Sequence, residues 1–231
     1  MKLIETFKSP NFNERKASQK IDYLVLHYTA LTSCKEALKY ICKKKNKISA
    51  HFLVSKKGEI YYLVDTKKRA WHAGKSYWKG LRDINSRSIG IEIDNSGHHI
   101  NNEDYNYLQI KSLCLLIKQL IKKFNILPKN ILGHSDIAPF RKIDPGENFP
   151  WDELNRKKLS YAPIINEDLT HKQFSAIKKI EILSILRFIG YDTRNVNIDD
   201  QKFKLLIQAY QRHHRQSNIS GKIDKETILL L

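Results

Sequence analysis

Two short segments limit what this chain can fold into more than any other feature. Residues 21–28, IDYLVLHY, form a compact apolar run that reads as a buried strand, with His27 near its C-terminal end. Residues 88–94, SIGIEID, alternate instead, with Ile89, Ile91 and Ile93 on one side and Gly90, Glu92 and Asp94 on the other. Between them, Ser33 and Glu36 have capping-box spacing and open a helix through about Cys42. Residues 50–54 and 59–64 read as two strands joined in a hairpin at Lys57-Gly58. From about Glu103 to Asn125, Leu113, Leu116, Ile117, Leu120, Ile121 and Phe124 recur at helical spacing, with lysines on the opposite face. Pro128 ends that stretch, and ILGH (131–134) carries a short strand into a loop. Strands alternating with helices predict an α/β domain.

Past residue 160 the pattern changes. Residues 161–171 read as a linker, dividing an α/β domain over 1–160 from a small three-helix domain over 172–231. The first of these helices ends at Gly190, a suitable C-cap. The second opens near Asp199–Asp200 and carries Phe203, Leu206, Ile207 and Tyr210 on one face. The third follows a turn at Ser220-Gly221, with Asp224 as its N-cap. A length of 231 residues accommodates such a division.

The formal net charge of +17 is the unusual bulk property. It attracts polyanions of any kind, but the lysines are spread along the chain and no nucleic-acid motif accompanies them. No specific nucleic-acid partner is therefore expected. No apolar run approaches the ~20 residues of a membrane helix, so no transmembrane segment is expected either. Three cysteines, Cys34, Cys42 and Cys114, cannot form a disulfide framework and read as buried small hydrophobes.

Among the nine histidines, His134 lies in G-H-S-D-I-A-P-F-R-K-I-D-P-G, a stretch too polar and too punctuated by Pro and Gly to be core. Lys142 and Asp144 lie within the same stretch. His27 ends one strand, and Glu92 points from the polar face of another. Two imidazoles and a carboxylate suit a catalytic zinc ion. A further carboxylate could accept a proton, and a lysine could stabilise developing negative charge. A histidine beside a strand is also commonly a satisfied structural residue, and spacing alone leaves both readings open.

Five blocks then occur in order: His27-Tyr28-Thr29, Ser49-Ala50-His51-Phe52, Trp71-His72-Ala73-Gly74, Asn85-x-x-Ser88-Ile89-Gly90-Ile91-Glu92, and Gly133-His134-Ser135-Asp136 through Lys142-Ile143-Asp144-Pro145-Gly146. Together they resemble the type-2 N-acetylmuramoyl-L-alanine amidases, which are themselves similar to peptidoglycan-recognition proteins and T7-type lysozymes. The resemblance implies a mixed central β-sheet flanked by helices, with one zinc ion per chain held by His27, His134 and Asp144. Glu92 would be the acid/base residue and Lys142 the oxyanion stabiliser. It assigns substrate contact to His72, Ala73, Gly74 and Asn85, and to His51, which the strand pattern equally leaves as a packed residue. His98 and His99 are expected in solvent, and His213 and His214 at a helix end where positive charge suits the dipole.

The implied reaction is hydrolysis of the lactyl–L-alanine amide of peptidoglycan or muropeptides. A recognition protein without catalysis, or a zinc hydrolase of another amide, are the alternatives. The C-terminal segment resembles a three-helix peptidoglycan-binding domain at Leu186 through Gly190-Tyr191, Phe203, Ala209-Tyr210-Gln211 and Gly221-x-Ile223-Asp224-x-x-Thr227. It lacks the glycine turn such domains carry, since TRNVNIDDQ occupies that place, and a helical cap is the other reading. The N-terminus, MKLIETFKSPNFNERK, has no apolar h-region, which favours the cytoplasm and muropeptide recycling, whereas a wall-binding module points to the envelope.

Overall fold

The computed structural model describes residues 2–16, 18–164 and 177–231. The expected linker from residue 165 onward, and the start of the C-terminal segment up to 176, lie outside the described residues. The strands are β1 (Leu3–Ile4), β2 (Phe12–Glu14), β3 (Tyr23–Tyr28), β4 (Phe52–Val54), β5 (Ile60–Tyr62), β6 (Lys68–Ala70), β7 (Ser88–Ile93) and β8 (Ile131–Gly133). The helices are α1 (Cys34–Ile41), α2 (Tyr107–Phe124), α3 (His134–Ile137), α4 (Trp151–Arg156), α5 (Lys179–Ile189), α6 (Asp200–His214) and α7 (Lys225–Leu230).

Six strands form one mixed sheet in the order β1-β5-β4-β7-β3-β8, with β2 and β6 paired separately. Only the hairpin pair β4–β5 is antiparallel within the large sheet. The apolar alternation of β7 is used as the sequence suggests. Ile89, Ile91 and Ile93 join Leu24 and Leu26 of β3 and pack against Leu113, Leu116, Ile117 and Leu120 of α2. The opposite sheet face carries His27, Glu92 and Gly90, flanked by two covering layers. Ala37, Leu38 and Ile41 of α1 lie over Leu53 and Leu63 on one side. On the other, Tyr23, Val25, Leu132 and Ile137 share one buried cluster with Leu183, Leu186, Tyr191, Leu206, Ile207 and Tyr210 of the C-terminal helices.

Several boundaries differ from the sequence reading. Strands β1, β2 and β6 have two or three residues each and no readable alternation, so only their pairing partners define them. Helix α2 starts at Tyr107 behind the N-cap Asn106, four residues later than expected. Glu103 is drawn away instead, accepting from the Ser96 N–H at 2.7 Å and from Lys56 at 2.7 Å. His134 is not in a loop but is the first residue of the single-turn helix α3. Of the cysteines only Cys114 is buried; Cys34 and Cys42 are partly exposed. Among the described residues no helix is long and apolar enough to cross a membrane.

The C-terminal helices meet the rest of the chain through polar as well as apolar contacts. Gln216 donates to the Phe149 carbonyl at 2.6 Å, and His213 stacks on Trp151 with ring centroids 3.6 Å apart. Gly190, at φ +141°, ends α5 against Trp78, where a Cβ would come within 2.7 Å of the indole. Because Leu206 is fully buried in the shared cluster, Leu206→Ala should destabilise the protein by about 2–5 kcal/mol. Urea unfolding should show this as a single shifted transition common to near-UV signals from both parts; a loss confined to the C-terminal helices would contradict a shared core.

Candidate active site

The parallel register of β3 and β7 sets His27 directly opposite Glu92 at the C-terminal ends of the two strands. Strand β8 pairs with the other edge of β3, so the turn into α3 delivers His134 to the same place. Asp144 returns ten residues later, its carbonyl accepting from the Ser135 N–H at 2.9 Å. Gly133 permits that return, since a Cβ there would lie 2.8 Å from Pro145.

His27 Nδ1, His134 Nδ1 and Asp144 Oδ2 form a triangle with sides of 2.9, 3.0 and 3.0 Å. All three residues are buried, and their donor atoms lie close enough to hold a metal ion. Around a tetrahedral ion with bonds of about 2.0–2.1 Å, ligand atoms stand roughly 3.3 Å apart, so the triangle fits zinc with a small expansion. Two further contacts fix the ring orientations. His134 Nε2 lies 3.1 Å from the Ala73 carbonyl, an obligate acceptor, and 3.2 Å from Arg141 Nη2, which already donates to that carbonyl. A hydrogen on Nε2 directed at the carbonyl leaves Nδ1 with the lone pair that faces the cluster. His27 turns its Nε2 toward His72 Nδ1 at 3.0 Å.

Protonation favours the same state. Burial, followed by the neighbouring His134, pushes His27 down to about 4, so its imidazole is neutral near pH 7. Burial acts upward on Asp144, but charge and hydrogen bonding from His134 and His27 more than offset it and hold the carboxyl well below the usual range. A neutral His27 beside an ionised Asp144 is the ligating form of that pair.

Glu92 is partly buried, and its Oε2 is closed off from solvent with no hydrogen-bond partner among the described residues. Burial raises its pKa well above the ordinary glutamate value, Asp144 adds to the effect, and Lys142 opposes it. The side chain lines a cavity of 250 Å³ with Thr29, Ala30, Leu31, Tyr40, Ile41 and Ile48. Lys142 is partly buried, two residues before Asp144. A buried carboxyl oxygen, a lysine whose charge acts on both Glu92 and His27, and a three-donor cluster can deliver a proton, a positive charge and a Lewis acid to one bond.

Comparison with known proteins shows the family. Residues 17–147 match the N-acetylmuramoyl-L-alanine amidase family. The N-acetylmuramoyl-L-alanine amidase AmiD of Escherichia coli is 33% identical over 227 residues, covering 91% of this chain and 81% of AmiD. The chain belongs to the type-2 N-acetylmuramoyl-L-alanine amidase family. The 1,6-anhydro-N-acetylmuramyl-L-alanine amidase AmpD of Haemophilus influenzae is 33% identical over 163 residues, covering 63% of this chain and 86% of AmpD. Among solved structures, AmiD from E. coli in complex with anhydro-N-acetylmuramic acid-L-Ala-D-γ-Glu-L-Lys superposes with a TM-score of 0.81 at 29% identity, covering 95% of both chains. AmpDh3 from Pseudomonas aeruginosa gives 0.82 at 31% identity, covering 98% of this chain and 96% of that one.

In this amidase the residues expected to touch substrate are mostly occupied inside the protein. His72 is buried and uses both ring nitrogens, toward His27 and toward Ser88 Oγ at 3.1 Å. Asn85 is buried, its Oδ1 accepting from the His72 and Ala73 N–H groups at 3.1 and 2.8 Å. The Ala73 carbonyl is taken by His134 and Arg141. His51 is fully buried, accepting from the Gly90 N–H at 3.0 Å and facing the Lys68 carbonyl at 3.1 Å, and burial pushes it down to about 3. Gly74 alone among the five is exposed, at φ +57°.

Other side chains carry weight that the sequence reading did not assign. Asp136 is fully buried, its carboxylate accepting from the Gly133 N–H, Tyr191 Oη and His213 Nδ1, each at 2.7 Å. His213 is therefore a buried partner of Asp136 rather than a solvated helix-end charge, and His214 packs on Tyr210 and His213. His98 pairs with Glu147, while His99 is exposed as expected. A buried polar residue must find a partner, which was the available signal for Asp136. The partner, 55 or 77 residues away in sequence, was not.

Asn85→Ala would leave two buried backbone N–H groups unsatisfied. It should cost about 2–4 kcal/mol of stability in the metal-free amidase, measured by urea unfolding. A change below the error of the measurement would mean that the 72–73 backbone finds other acceptors.

Proposed function

We propose that this amidase is zinc-dependent and cuts the amide joining the lactyl group of muramic acid to L-alanine, with His27, His134 and Asp144 as zinc ligands. The observation that carries this reading is the buried triangle of two imidazole nitrogens and one ionised carboxylate, with each imidazole's remaining nitrogen turned to an internal partner. Bound there, zinc would polarise the scissile carbonyl and acidify water. Glu92 accepts the proton of the attacking water and returns it to the departing amine of L-alanine. Its Oε2 suits that task, because no donor among the described residues competes for it. Lys142 stands beside the developing oxyanion. The 72–74 loop borders the substrate and contributes shape, since the polar groups of His72 and Asn85 are already engaged.

The substrate class follows from chemistry and from the relatives. AmiD and AmpDh3 are solved with anhydromuramic peptides, and a net charge of +17 favours ligands bearing free peptide carboxylates. A recognition protein without catalysis is disfavoured because every donor and both helper residues are present.

Metal analysis should find one zinc per chain in the purified protein and none in His134→Ala; full occupancy in that variant would overturn the ligand assignment. Glu92→Gln and Lys142→Met should keep zinc and lose on the order of a hundredfold or more in turnover on an anhydromuramic tripeptide. Near wild-type turnover in either would exclude the role given to it.

For the C-terminal segment we infer a bracing role: its helices hold the 133–151 stretch through Asp136, Trp151 and the Phe149 carbonyl. Deleting residues 172–231 should then lower the melting temperature and abolish activity on soluble muropeptides and on sacculi together. Intact turnover of soluble substrate with weakened co-sedimentation with sacculi would instead mark the segment as a peptidoglycan tether.

A further inference from the structure

Behind the metal donors runs a chain of hydrogen bonds that the reaction itself does not use. Ser88 Oγ lies 2.7 Å from the Ile84 carbonyl oxygen and 3.1 Å from His72 Nε2. His72 Nδ1 lies 3.0 Å from His27 Nε2, and the other nitrogen of His27 faces His134 and Asp144. Ser88, His72 and His27 are all buried, and each finds its next partner in the chain within the protein.

The direction of this chain is set at its far end. A carbonyl oxygen only accepts, so the Ser88 hydroxyl hydrogen points at Ile84. Ser88 Oγ is left to accept from His72 Nε2–H. His72 Nδ1 is then bare and accepts from His27 Nε2–H. A neutral imidazole carries one ring hydrogen, so His27 Nδ1 is bare as well and directs its lone pair into the donor triangle. Reversed, the same chain would turn the Ser88 hydroxyl away from the carbonyl and put a hydrogen on His27 Nδ1, where it would block a cation.

We propose that His72 is a positioning residue, relaying a hydrogen bond from His27 through Ser88 to the Ile84 carbonyl and so holding His27 in its ligating tautomer and orientation. The proposal rests on the zinc reading above. It gives two sequence blocks one purpose, the support of His27 in a third. The Trp71-His72-Ala73-Gly74 block supplies the ring, and Asn85 fixes the backbone on which that ring is mounted. Ser88 terminates the relay. Gly90 makes room for it, because a Cβ there would lie 2.3 Å from His72 Cγ.

The test is zinc affinity of the full-length metal-free protein, measured by competition with a chromophoric chelator, with the melting temperature of each metal-free variant recorded alongside. His72→Ala should bind Zn²⁺ roughly 10–100-fold more weakly than wild type, the usual scale for losing an outer-shell partner. His72→Gln should recover most of that loss, since its Oε1 can accept from His27 and its Nε2 can donate to Ser88. Gly90→Ala should weaken binding without altering any ligand. If His72→Ala does not fold, His72→Leu against His72→Gln makes the same comparison at similar volume. Wild-type affinity in His72→Ala, or equal weakening in the Gln variant and its apolar counterpart, would overturn the relay. The two readings fail separately. A wild-type protein that binds one zinc, lost in His134→Ala but unaffected in His72→Ala, sinks the relay alone. A wild-type protein that binds none sinks the zinc reading and the relay with it.

Discussion

The pairing of β3 with β7 is the constraint on which everything else in this molecule depends. It is parallel, six residues long, and sets Leu24 opposite Ile89 and His27 opposite Glu92. A slip of one residue would turn Ile89, Ile91 and Ile93 toward the groove and Glu92 into the apolar layer under α2. Each such isoleucine contributes about 1.5–3 kcal/mol by being buried, so the hydrophobic face enforces the register. The functional face is positioned by a core that it does not touch.

That arrangement lets the protein gather groups that would otherwise repel folding. Two imidazoles and a carboxylate are buried within about 3 Å of one another. Burying unpaired charge is costly, and here the cost is limited by keeping His27 neutral and by giving each imidazole an internal partner for its second nitrogen. Around them lies a second buried carboxylate, Asp136, two residues from His134. Its three donors come from the turn before α3, from Tyr191 and from α6. The stretch carrying two of the three donor residues is thus joined to the C-terminal helices through one oxygen-rich point. The large positive charge of the chain acts at longer range, biasing which ligands approach rather than which bond is cut.

Much of the architecture was readable from local pattern because the physical cause was local. The capping hydrogen bonds of Ser33, Asp199 and Asp224, the hairpin at Lys57-Gly58 and the ending of α5 at Gly190 all depend on residues within a few positions of one another. The strands β1, β2 and β6 were not readable. Each is too short to show a period and exists because a distant strand offers it hydrogen bonds. The start of α2 is not readable for a related reason: Glu103, where the helical stretch is expected to begin, is held by Lys56, 47 residues away.

The same division runs through the site. Sequence by itself supplied the groups proposed to act, namely His27, Glu92, His134, Lys142 and Asp144. It also set which face of β7 Glu92 occupies, because strand alternation is a property of neighbouring residues. It did not determine what His72, His51 and Asn85 do. Their types and motif positions suit substrate contact, and a side chain's hydrogen-bond partners are not written in its own segment. Only the tertiary structure decided that His72 lies behind His27, that His51 is closed in against β7 and that Asn85 holds the 72–73 backbone. It likewise decided that His213 is buried against Asp136 and Trp151 rather than ending a solvated helix. The physical reason is the same in each case. Polarity and periodicity act through adjacent residues, whereas the satisfaction of a buried polar atom depends on whichever distant segment the packed core brings within 3 Å of it.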